Sequence, residues 1–320
     1  MKLIIQIPCY NEEQTLPQVI RDLPRAIEGI DEIEYLIIDD GSEDKTIETA
    51  RRLGVHHIVS LGSNHGLATA FTTGIRKCAE FGADIIVNTD GDNQYKGECI
   101  KNLVAPILQG KADVVIGCRP IEQVEEFSWL KKKLQRFGSG VVRRFSGTDV
   151  PDTTSGFRAY SADAALQLQV FNRYTYTLET IIQAGAMDMR ICNVPIEVNP
   201  RTRPSRLISS IPRYLWRSLS IILRSYITYK PFQTFFYASL VPAAFGLAIC
   251  VRFLYYFLTG HPTGNIQSLI LAAILLIISF NLFSLGVLGH VISTNRKLIH
   301  EALYLMRSQR HAQNKSKPQG

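Results

Sequence analysis

The stretch IIVNTDGDNQY, residues 85–95, is an apolar run that ends in two carboxylates one residue apart, Asp90 and Asp92. A short, continuous apolar run is typical of a strand buried on both faces, as in a parallel sheet. In such sheets, the polar residues that follow the strands gather at one edge and form binding sites. The stretch therefore predicts an α/β fold with the two acids at the functional edge of the sheet.

Short apolar runs alternate with helical patterns over residues 1–200, as expected for an α/β domain with a mostly parallel sheet. The candidate strands are KLIIQI (2–7), EYLIID (34–39), HHIVSL (56–61), DIIVNT (84–89) and DVVIG (113–117). The candidate helices cover residues 13–28, 45–53, 67–81 and 97–109. Four polar clusters follow the predicted strands, where binding sites form in such sheets: PCYNEE, DDGSED, SNHG and TDGDNQ.

Asp90, Asp92 and Gln94 offer three oxygen-bearing side chains to one locality. Mg2+ and Mn2+ prefer oxygen ligands and commonly share them with substrate phosphates. The alternative is an Asp-rich turn held by hydrogen bonds between side chains and backbone. DDGSED at the end of an earlier strand favours the metal, because a nucleotide held over two strand ends needs one acid pair for its base or ribose and another for the cation.

The net charge of +7 is unevenly distributed along the chain. Residues 1–200 contain 21 Lys+Arg and 27 Asp+Glu, whereas residues 201–320 contain 14 and one. A basic segment with a single acid indicates an anionic partner, either nucleic acid or a membrane surface. The hydropathy of the same segment favours the membrane.

Residues 232–258 and 266–292 are almost wholly apolar, and each run exceeds the roughly 20 residues that cross a bilayer as a helix. They predict a transmembrane hairpin, with a buried hairpin of a soluble protein as the alternative. Basic residues flank the outer ends, at Arg224, Lys230, Arg296 and Lys297. The positive-inside tendency then places both termini in the cytoplasm.

A helix beginning near Pro212 is predicted to precede the first span. Arg213, Arg217 and Arg224 fall within a sector of roughly 40°, opposite an apolar face. This pattern predicts a helix lying on a membrane surface, with a helix covering the soluble domain as the alternative.

The remaining features indicate a reducing cytoplasmic face. MKLIIQIPCYNEE, residues 1–13, is too briefly apolar for a secretory signal and predicts a first strand. The six scattered cysteines argue against a zinc site or a disulfide framework. The basic residues from Arg307 onward predict a loose tail.

The ordered motifs IPCYNEE, IIDDGSEDKT, NHGLATAFTTGI, NTDGDNQY and DTTSGFRAYS resemble glycosyltransferase family 2, which has a GT-A fold. Within it, the chain resembles most the polyprenyl-phosphate glycosyltransferases, the group that contains dolichyl-phosphate mannose synthase. The resemblance covers nearly the whole chain. It implies a GT-A catalytic domain over residues 1–205, interfacial helices over 206–231, a transmembrane hairpin over 232–292 and a basic cytoplasmic tail over 293–320.

The resemblance also implies a role for each motif on the donor side. Asp39 would read the base, and Asp90, Asp92 and Gln94 would hold Mg2+ or Mn2+. Gly91 stands between the acids where the family often has Ala. The residues implied to bind the nucleotide sugar are Pro8, Tyr10, Asn11, Glu12, Asp39, Asp40, Gly41, Ser42, Asn64, Gly66, Asp90 and Gly91.

On the acceptor side, Arg119 matches an arginine that meets phosphate. KKKLQRFGSG occupies the place of a phosphate-binding segment, where Lys132, Lys133 and Arg136 compete for the basic role beside Ser139. A solvated charge run is the alternative for these residues.

Three further motifs are implied to act at the reaction centre. In DTTSGFRAYS, Asp152, Ser155 and Arg158 resemble an acceptor-side motif, unless Asp152 and Arg158 merely pair to hold the turn. Glu179 stands where processive relatives carry a catalytic acid. The loop RTRPSRL resembles one that closes on the donor diphosphate, through Arg201, Arg203 or Arg206.

The implied activity is inverting transfer of a sugar from a UDP- or GDP-sugar to dolichyl or undecaprenyl phosphate. The sequence does not choose between UDP and GDP. The two spans of one chain could pack against those of another and form a homo-oligomer. Two alternatives remain: a family 2 transferase with another acceptor, such as a polysaccharide synthase, and a non-catalytic nucleotide-binding membrane scaffold. A QxxRW motif, usual in polysaccharide synthases, is absent from the sequence.

Overall fold

The computed structural model describes residues 1–120, 148–170, 175–200, 226–259 and 266–316, together with positions 140, 220, 223 and 224. The chain divides into two compact units. The first contains Met1–Ile222 and Leu303–Gly320, and the second contains Leu223–Ala302.

The first unit is built on a twisted sheet with strand order β3-β2-β1-β4-β6-β5-β7 in the described residues. Neighbouring strands are parallel except that β6 runs antiparallel to both β4 and β5. The strands are β1 (Lys2–Cys9), β2 (Glu32–Asp39), β3 (His57–Ser60), β4 (Ile85–Asn88), β5 (Val114–Cys118), β6 (Arg158–Ser161) and β7 (Ile191–Pro195). A mostly parallel α/β sheet is confirmed.

Helices cover both faces of the sheet, and the core lies between them and the strands. Leu3, Ile5 and Ile7 of β1 join one core cluster with side chains of α1 and α4, while α3 packs on β1 and β2. The helices of this unit are α1 (Leu16–Asp22), α2 (Thr46–Arg52), α3 (Leu67–Glu80), α4 (Ile100–Leu108), α5 (Ala162–Gln167) and α6 (Thr177–Ala186), with a 3-10 turn at Gly97–Cys99. Burial on both faces explains why β1 and β4 read as continuous apolar runs.

The five predicted strands and four predicted helices are all present, with shifted ends. α1 stops at Asp22 rather than at residue 28, because Leu23 is extended and precedes Pro24. Strands β6 and β7 were not predicted. RAYS is short and begins with a charged residue, and ICNVP is only partly buried, so neither has a continuous apolar run.

The second unit contains two helices that are long and apolar enough to cross a membrane, judged by length and composition. They are α7 (Pro231–Leu258) and α8 (Ile266–Ser316), the latter belonging to this unit as far as Ala302. Small residues lie where they touch: Ala272 is fully buried, and the Ser279 hydroxyl donates to the Ser239 carbonyl at 2.8 Å. Close approach at small residues is typical of helix pairs in lipid.

The loose tail predicted from Arg307 is wrong, because α8 continues as a helix to Ser316. Its last turns belong to the first unit and contact the rest of that unit through side chains. The contacts are Tyr304 Oη to Asp163 Oδ1 (3.2 Å), Arg307 to the Leu166 carbonyl (3.0 Å), His311 Nδ1 to the Ala79 carbonyl (2.8 Å), Asn314 Nδ2 to the Glu80 carbonyl (3.1 Å) and an ion pair between Lys315 and Asp84. These contacts explain why the segment is helical although its composition predicted a loose tail. Most of the predicted interfacial helix, including Arg213 and Arg217, lies outside the described residues.

Candidate active site

The polar clusters that follow β1, β2 and β4 meet at one edge of the sheet. β1 lies between β2 and β4, with Cys9 paired to Asp39 and Gln6 to Asn88. Because the three strands are parallel, their carboxyl ends point the same way, and the residues that follow them share one locality. The sheet therefore brings together the predicted donor-side motifs.

Asp39 ends β2 as a buried carboxylate, 1% exposed, with two hydrogen-bonding neighbours. The Ser60 hydroxyl at the end of β3 donates to Oδ2 at 3.0 Å, and the Ser42 amide donates to Oδ1 at 3.2 Å. These contacts fix the orientation of the carboxylate between two strand ends. An acceptor in this position can receive hydrogen bonds from the N–H groups of a base.

Asp40 and Gly41 hold the loop that leads into α3. The Asp40 carboxylate accepts from the backbone amides of His65 (2.8 Å) and Gly66 (2.9 Å). Gly41 has φ +75°, and a Cβ there would lie 2.5 Å from the Ser63 carbonyl carbon. A larger residue would displace the loop. Within the described contacts, Asp40 and Gly41 shape the predicted nucleotide site by positioning its loop, which also carries the exposed Asn64.

Asn11 and Glu12 join the β1 end to the β2 and β4 ends. Asn11 has φ 55°; its amide donates to Ser42 Oγ at 2.9 Å, and its Oδ1 accepts from the Glu43 amide at 2.8 Å. The Thr15 hydroxyl lies 2.8 Å from Glu12 Oε2 and 2.7 Å from the Gly91 carbonyl. Thr15, which the sequence analysis missed, thus ties the first strand end to the turn between the two acids. Its only signal in the sequence is its position three residues after Glu12.

Asp90 and Asp92 are both partly exposed, but their surroundings differ. Burial and the nearby charge of Asp92 raise the pKa of Asp90 to about 7. Asp92 Oδ1 accepts from the Gln94 backbone amide at 3.1 Å, in a turn where Asn93 has φ 55°. That hydrogen bond orients the second carboxylate toward the same turn.

Gly156 brings the DTTSGFR turn against the first acid. A Cβ at Gly156 would lie 2.8 Å from Tyr176 Oη and 3.0 Å from Asp90 Oδ1, so only glycine allows this approach. The Gly156 amide donates to Tyr95 Oη (3.1 Å), and its carbonyl accepts from Asn88 Nδ2 (2.8 Å). Tyr95, Tyr176 and Asn88 were not predicted as site residues. Their aromatic and amide side chains resemble ordinary core positions in the sequence, and only the fold places them beside Asp90.

The acid pair fits a hard divalent cation by its donor chemistry. Burial first and the charge of Asp92 second raise the pKa of Asp90, and two carboxylates this close are stabilised by a shared cation. Across the described ranges, no group of three or more His, Cys, Asp or Glu side chains is arranged to hold a metal ion. The candidate centre therefore rests on two carboxylates, with the half-buried Gln94 as a further oxygen donor.

Arg119, after β5, forms a buried ion pair with Asp152. Its Nε donates to Oδ2 at 2.7 Å and its second terminal nitrogen to Oδ1 at 3.0 Å, with Thr154 Oγ1 also 2.9 Å away. Burial raises the pKa of the fully buried Asp152, but the charge and hydrogen bonds of Arg119 outweigh burial and hold that pKa below its ordinary value. The bidentate pair fixes the guanidinium at the strand edge.

The predicted alternative that Asp152 pairs with Arg158 is wrong, since the described partner of Asp152 is Arg119. Arg158 is fully buried on β6 and donates to the carbonyls of Ser155 (2.8 Å), Thr177 (2.9 Å) and Thr153 (3.1 Å) and to Thr180 Oγ1 (2.7 Å). These partners are neutral and structural. Full burial argues against contact with substrate, so Arg158 is a residue that holds the turn rather than one that reacts.

The remaining predicted acceptor-side, catalytic and diphosphate-loop residues are buried or lie outside the described part of the chain. Ser155 is fully buried, and Glu179 lies in the first turn of α6, 7% exposed. Seven predicted residues lie outside the described part of the chain: Lys132, Lys133, Arg136, Ser139, Arg201, Arg203 and Arg206. The described structure thus brings together the donor-side motifs at the ends of β1, β2 and β4 with Arg119 and Asp152.

A family model described as glycosyl transferase family 2 matches residues 4–168, more than half of the chain. The chain belongs to glycosyl transferase family 2. The matched region runs from β1 through α5 and contains the three strand ends, Asp90, Asp92, Arg119 and Asp152. The family assignment expected from the motifs is confirmed.

Two curated relatives of this family 2 chain are polyprenyl-phosphate sugar transferases by name. Undecaprenyl-phosphate mannosyltransferase of Micrococcus luteus is 29% identical over 206 residues, which cover 61% of this chain and 83% of the relative. The UDP-N-acetylglucosamine–dolichyl-phosphate N-acetylglucosaminyltransferase of Methanococcus voltae is 31% identical over 214 residues, which cover 60% and 83%. Both alignments span most of the relative.

The solved structures confirm the GT-A fold of this family 2 chain. Glucosyl-3-phosphoglycerate synthase from Mycobacterium tuberculosis, in complex with Mn2+, UDP and glucosyl-3-phosphoglycerate, superposes with a TM-score of 0.55 at 19% identity. The match covers 69% of this chain and 79% of the synthase. At this identity the likeness concerns the fold alone.

Proposed function

We propose that the protein is a membrane-bound, metal-dependent, inverting glycosyltransferase that moves a sugar from a UDP- or GDP-sugar to a polyprenyl phosphate. The observation that carries the proposal is the joint occurrence, in one family 2 chain, of the acid pair after β4 and of two helices long and apolar enough to span a membrane. An acceptor whose hydrocarbon tail cannot leave the bilayer requires an enzyme that stays there. The names of both curated relatives support the same acceptor class.

On the donor side, the buried Asp39 carboxylate accepts hydrogen bonds from the base, and the loop held by Asp40 borders the nucleotide. Asp90, Asp92 and Gln94 would hold Mg2+ or Mn2+, and the ion, when bound, neutralises negative charge that develops on the departing diphosphate. The chain supplies the oxygen donors in a fixed turn. The hydrogen bond from the Gln94 amide orients Asp92 and reduces the reorganisation needed on binding.

On the acceptor side, the nucleophile is a phosphate monoester that is already largely ionised near neutral pH. No strong general base is then required, and the enzyme needs to hold the phosphate in line with the sugar C1 on the face opposite the leaving group. A single displacement of this kind inverts the anomeric centre. Arg119, fixed by Asp152, is the described cation suited to a phosphate at this edge. Lys132, Lys133, Arg136 and Ser139 remain predictions for the same role, and Arg201, Arg203 or Arg206 for the diphosphate.

The orientation in the membrane is part of the proposal. Basic residues at the outer ends of both spans support a catalytic domain on the cytoplasmic face. The sugar nucleotides would then be drawn from the cytoplasm, where the free cysteines also stay reduced.

A lipid-extraction assay tests the proposal. The detergent-purified protein is incubated with undecaprenyl or dolichyl phosphate, Mn2+ and one radiolabelled sugar nucleotide at a time, and the lipid is extracted into organic solvent. Label in the organic phase from one donor identifies the reaction, the sugar and the nucleotide. If every donor remains aqueous while one still binds with Mn2+ dependence, another acceptor is indicated; metal-independent binding without transfer would favour the scaffold.

A further inference from the structure

A cavity lies in the first unit, away from the candidate active site. It has a volume of about 350 Å³ and is bounded by α3, α5 with the residues that follow it, and the end of α8. Its floor is apolar and consists of buried side chains, Ile75, Ala79, Ala165, Leu166 and Leu168. Sites for small organic ligands begin at about this size and have this lining.

Three arginine side chains line the cavity. Arg76, Arg307 and Arg310 line it, and all three are exposed. Among the described residues, neither Arg76 nor Arg310 has a carboxylate partner, whereas Arg307 donates to the Leu166 carbonyl at 3.0 Å. Two guanidinium groups beside an apolar floor leave positive charge at the edge of an apolar space.

The neighbouring acids do not neutralise these arginines, because each has another partner. Glu80, which also lines the cavity, pairs with Lys77 at 2.7 Å. Asp84 pairs with Lys315, and Asp163 accepts from Tyr304 at 3.2 Å. The cavity therefore favours a negatively charged group.

We propose that this cavity binds a phosphomonoester that carries an apolar tail. Guanidinium groups bind phosphate oxygens with two parallel hydrogen bonds, and the apolar floor accommodates a hydrocarbon portion of a few carbons. A lipid headgroup with its proximal carbons and a soluble alkyl-type phosphate share this chemistry. The assignment goes beyond the proposed transfer reaction and does not depend on it.

The cavity is separate from the sugar-nucleotide site. Asp40 holds Gly66 at the beginning of α3, whereas Arg76, Ala79 and Glu80 lie in its last turn and a half. The helix has 14 residues, so the two places are on the order of 20 Å apart along its axis. Binding in the cavity can thus be measured without disturbing the acid pair.

The test is a calorimetric titration of the detergent-purified, full-length protein with n-octyl phosphate. Saturable binding is expected, with inorganic phosphate and n-octanol each binding at least about tenfold more weakly, because each offers one half of the recognised chemistry. The double variant R76Q/R310Q should bind octyl phosphate at least about tenfold more weakly than the wild type does. The matched control R25Q/R51Q, which removes two exposed arginines elsewhere, should leave it within about twofold.

Two further measurements distinguish the source of the ligand and show whether its binding needs the acid pair. Dioctanoyl phosphatidic acid that binds more tightly than octyl phosphate identifies a membrane lipid as the source, and the reverse order identifies a soluble phosphate. D92N should bind octyl phosphate as the wild type does, even though sugar transfer is lost. Absence of saturable binding, equal binding of inorganic phosphate, or binding unchanged by R76Q/R310Q would overturn the assignment.

Discussion

Asp90 and Asp92 follow the same buried strand but are held in different ways. Asp90 lies against Gly156, where burial and Asp92 raise its pKa to about 7. Asp92 is oriented by the Gln94 amide at 3.1 Å. Asp92, which a backbone amide orients, is therefore the better position for a substitution that removes the charge and keeps the size of the side chain.

Asp92→Asn should lower sugar transfer at least about 100-fold, because it removes a charged ligand from the centre that stabilises the leaving diphosphate. The measurement is the lipid-extraction rate at saturating Mn2+, with the thermal unfolding midpoint as the check on folding. Glu98→Gln is the matched control, since Glu98 is a nearby but exposed carboxylate. Near-normal transfer by Asp92→Asn with an intact fold would contradict the metal assignment.

Asp152→Asn should destabilise the protein by about 3 kcal/mol near pH 7, because it leaves the buried Arg119 without its charged partner. The pKa of Asp152 is lowered by Arg119 on folding, so its stabilisation is complete above the unfolded pKa of about 4 and is lost as the pH falls toward the folded value. The difference in urea midpoint between wild type and variant should therefore shrink below about pH 4. A difference that grows on acidification would show that another group dominates.

At the scale of secondary structure, the end of α8 shows how a polar, basic segment becomes ordered. Residues Leu303–Gly320 belong to the first unit, and the described helix places side chains at intervals of three and four residues against α3 and α5. Arg307, His311 and Asn314 each contact a backbone carbonyl at or near the carboxyl end of one of these helices. Carbonyls at helix ends lack the usual donor four residues on, so the contacts add hydrogen bonds there, although the Ala79 carbonyl also accepts from the Gly82 amide at 3.2 Å.

The double variant His311→Ala with Asn314→Ala should lower the free energy of unfolding by about 1–3 kcal/mol, since two side-chain hydrogen bonds to carbonyls are lost. Thermal unfolding of the full-length protein in detergent measures the effect. Gln309→Ala, at an exposed position of the same helix, serves as the control and should change stability by less than about 0.5 kcal/mol. Equal effects of the two changes would mean that the segment does not contribute through these contacts.

At the scale of the whole molecule, the chain combines an α/β unit that carries acids with a helical unit that carries almost none. The second unit exposes many large apolar side chains, among them Phe245, Leu258, Ile277 and Phe280. Exposed apolar patches of this extent are unusual on monomeric soluble proteins and agree with the spans judged by length and composition.

Cysteine labelling tests the proposed topology. In a background with Cys118, Cys192 and Cys250 changed to Ser, Gln309→Cys should react with a membrane-impermeant maleimide only in inside-out vesicles, and Thr259→Cys only in right-side-out vesicles. The expected pattern follows from a hairpin whose termini are both cytoplasmic. Labelling of both positions from the same side would exclude a two-span hairpin.

The amino-acid sequence alone was sufficient to predict the strands and helices that have long or continuous apolar patterns. The runs at β1, β2 and β4 are buried on both faces, and the apolar stretches of α7 and α8 exceed the length of a span, so hydrophobicity marks them directly. The motifs at the strand ends likewise predicted Asp39, Asp90 and Asp92 as one site, because parallel strands end at the same edge.

Only the tertiary structure decided the partners of the buried charges and the order of the C-terminal segment. Asp152 pairs with Arg119 rather than Arg158, because β5 and β6 are adjacent and the Arg158 side chain lies inside the core. The helical end of α8 likewise depends on carbonyls of α3 and α5 that are more than 130 residues away in sequence. Patterns along a chain report burial and local conformation, whereas the choice between two possible partners for one charge depends on distances that exist only after folding.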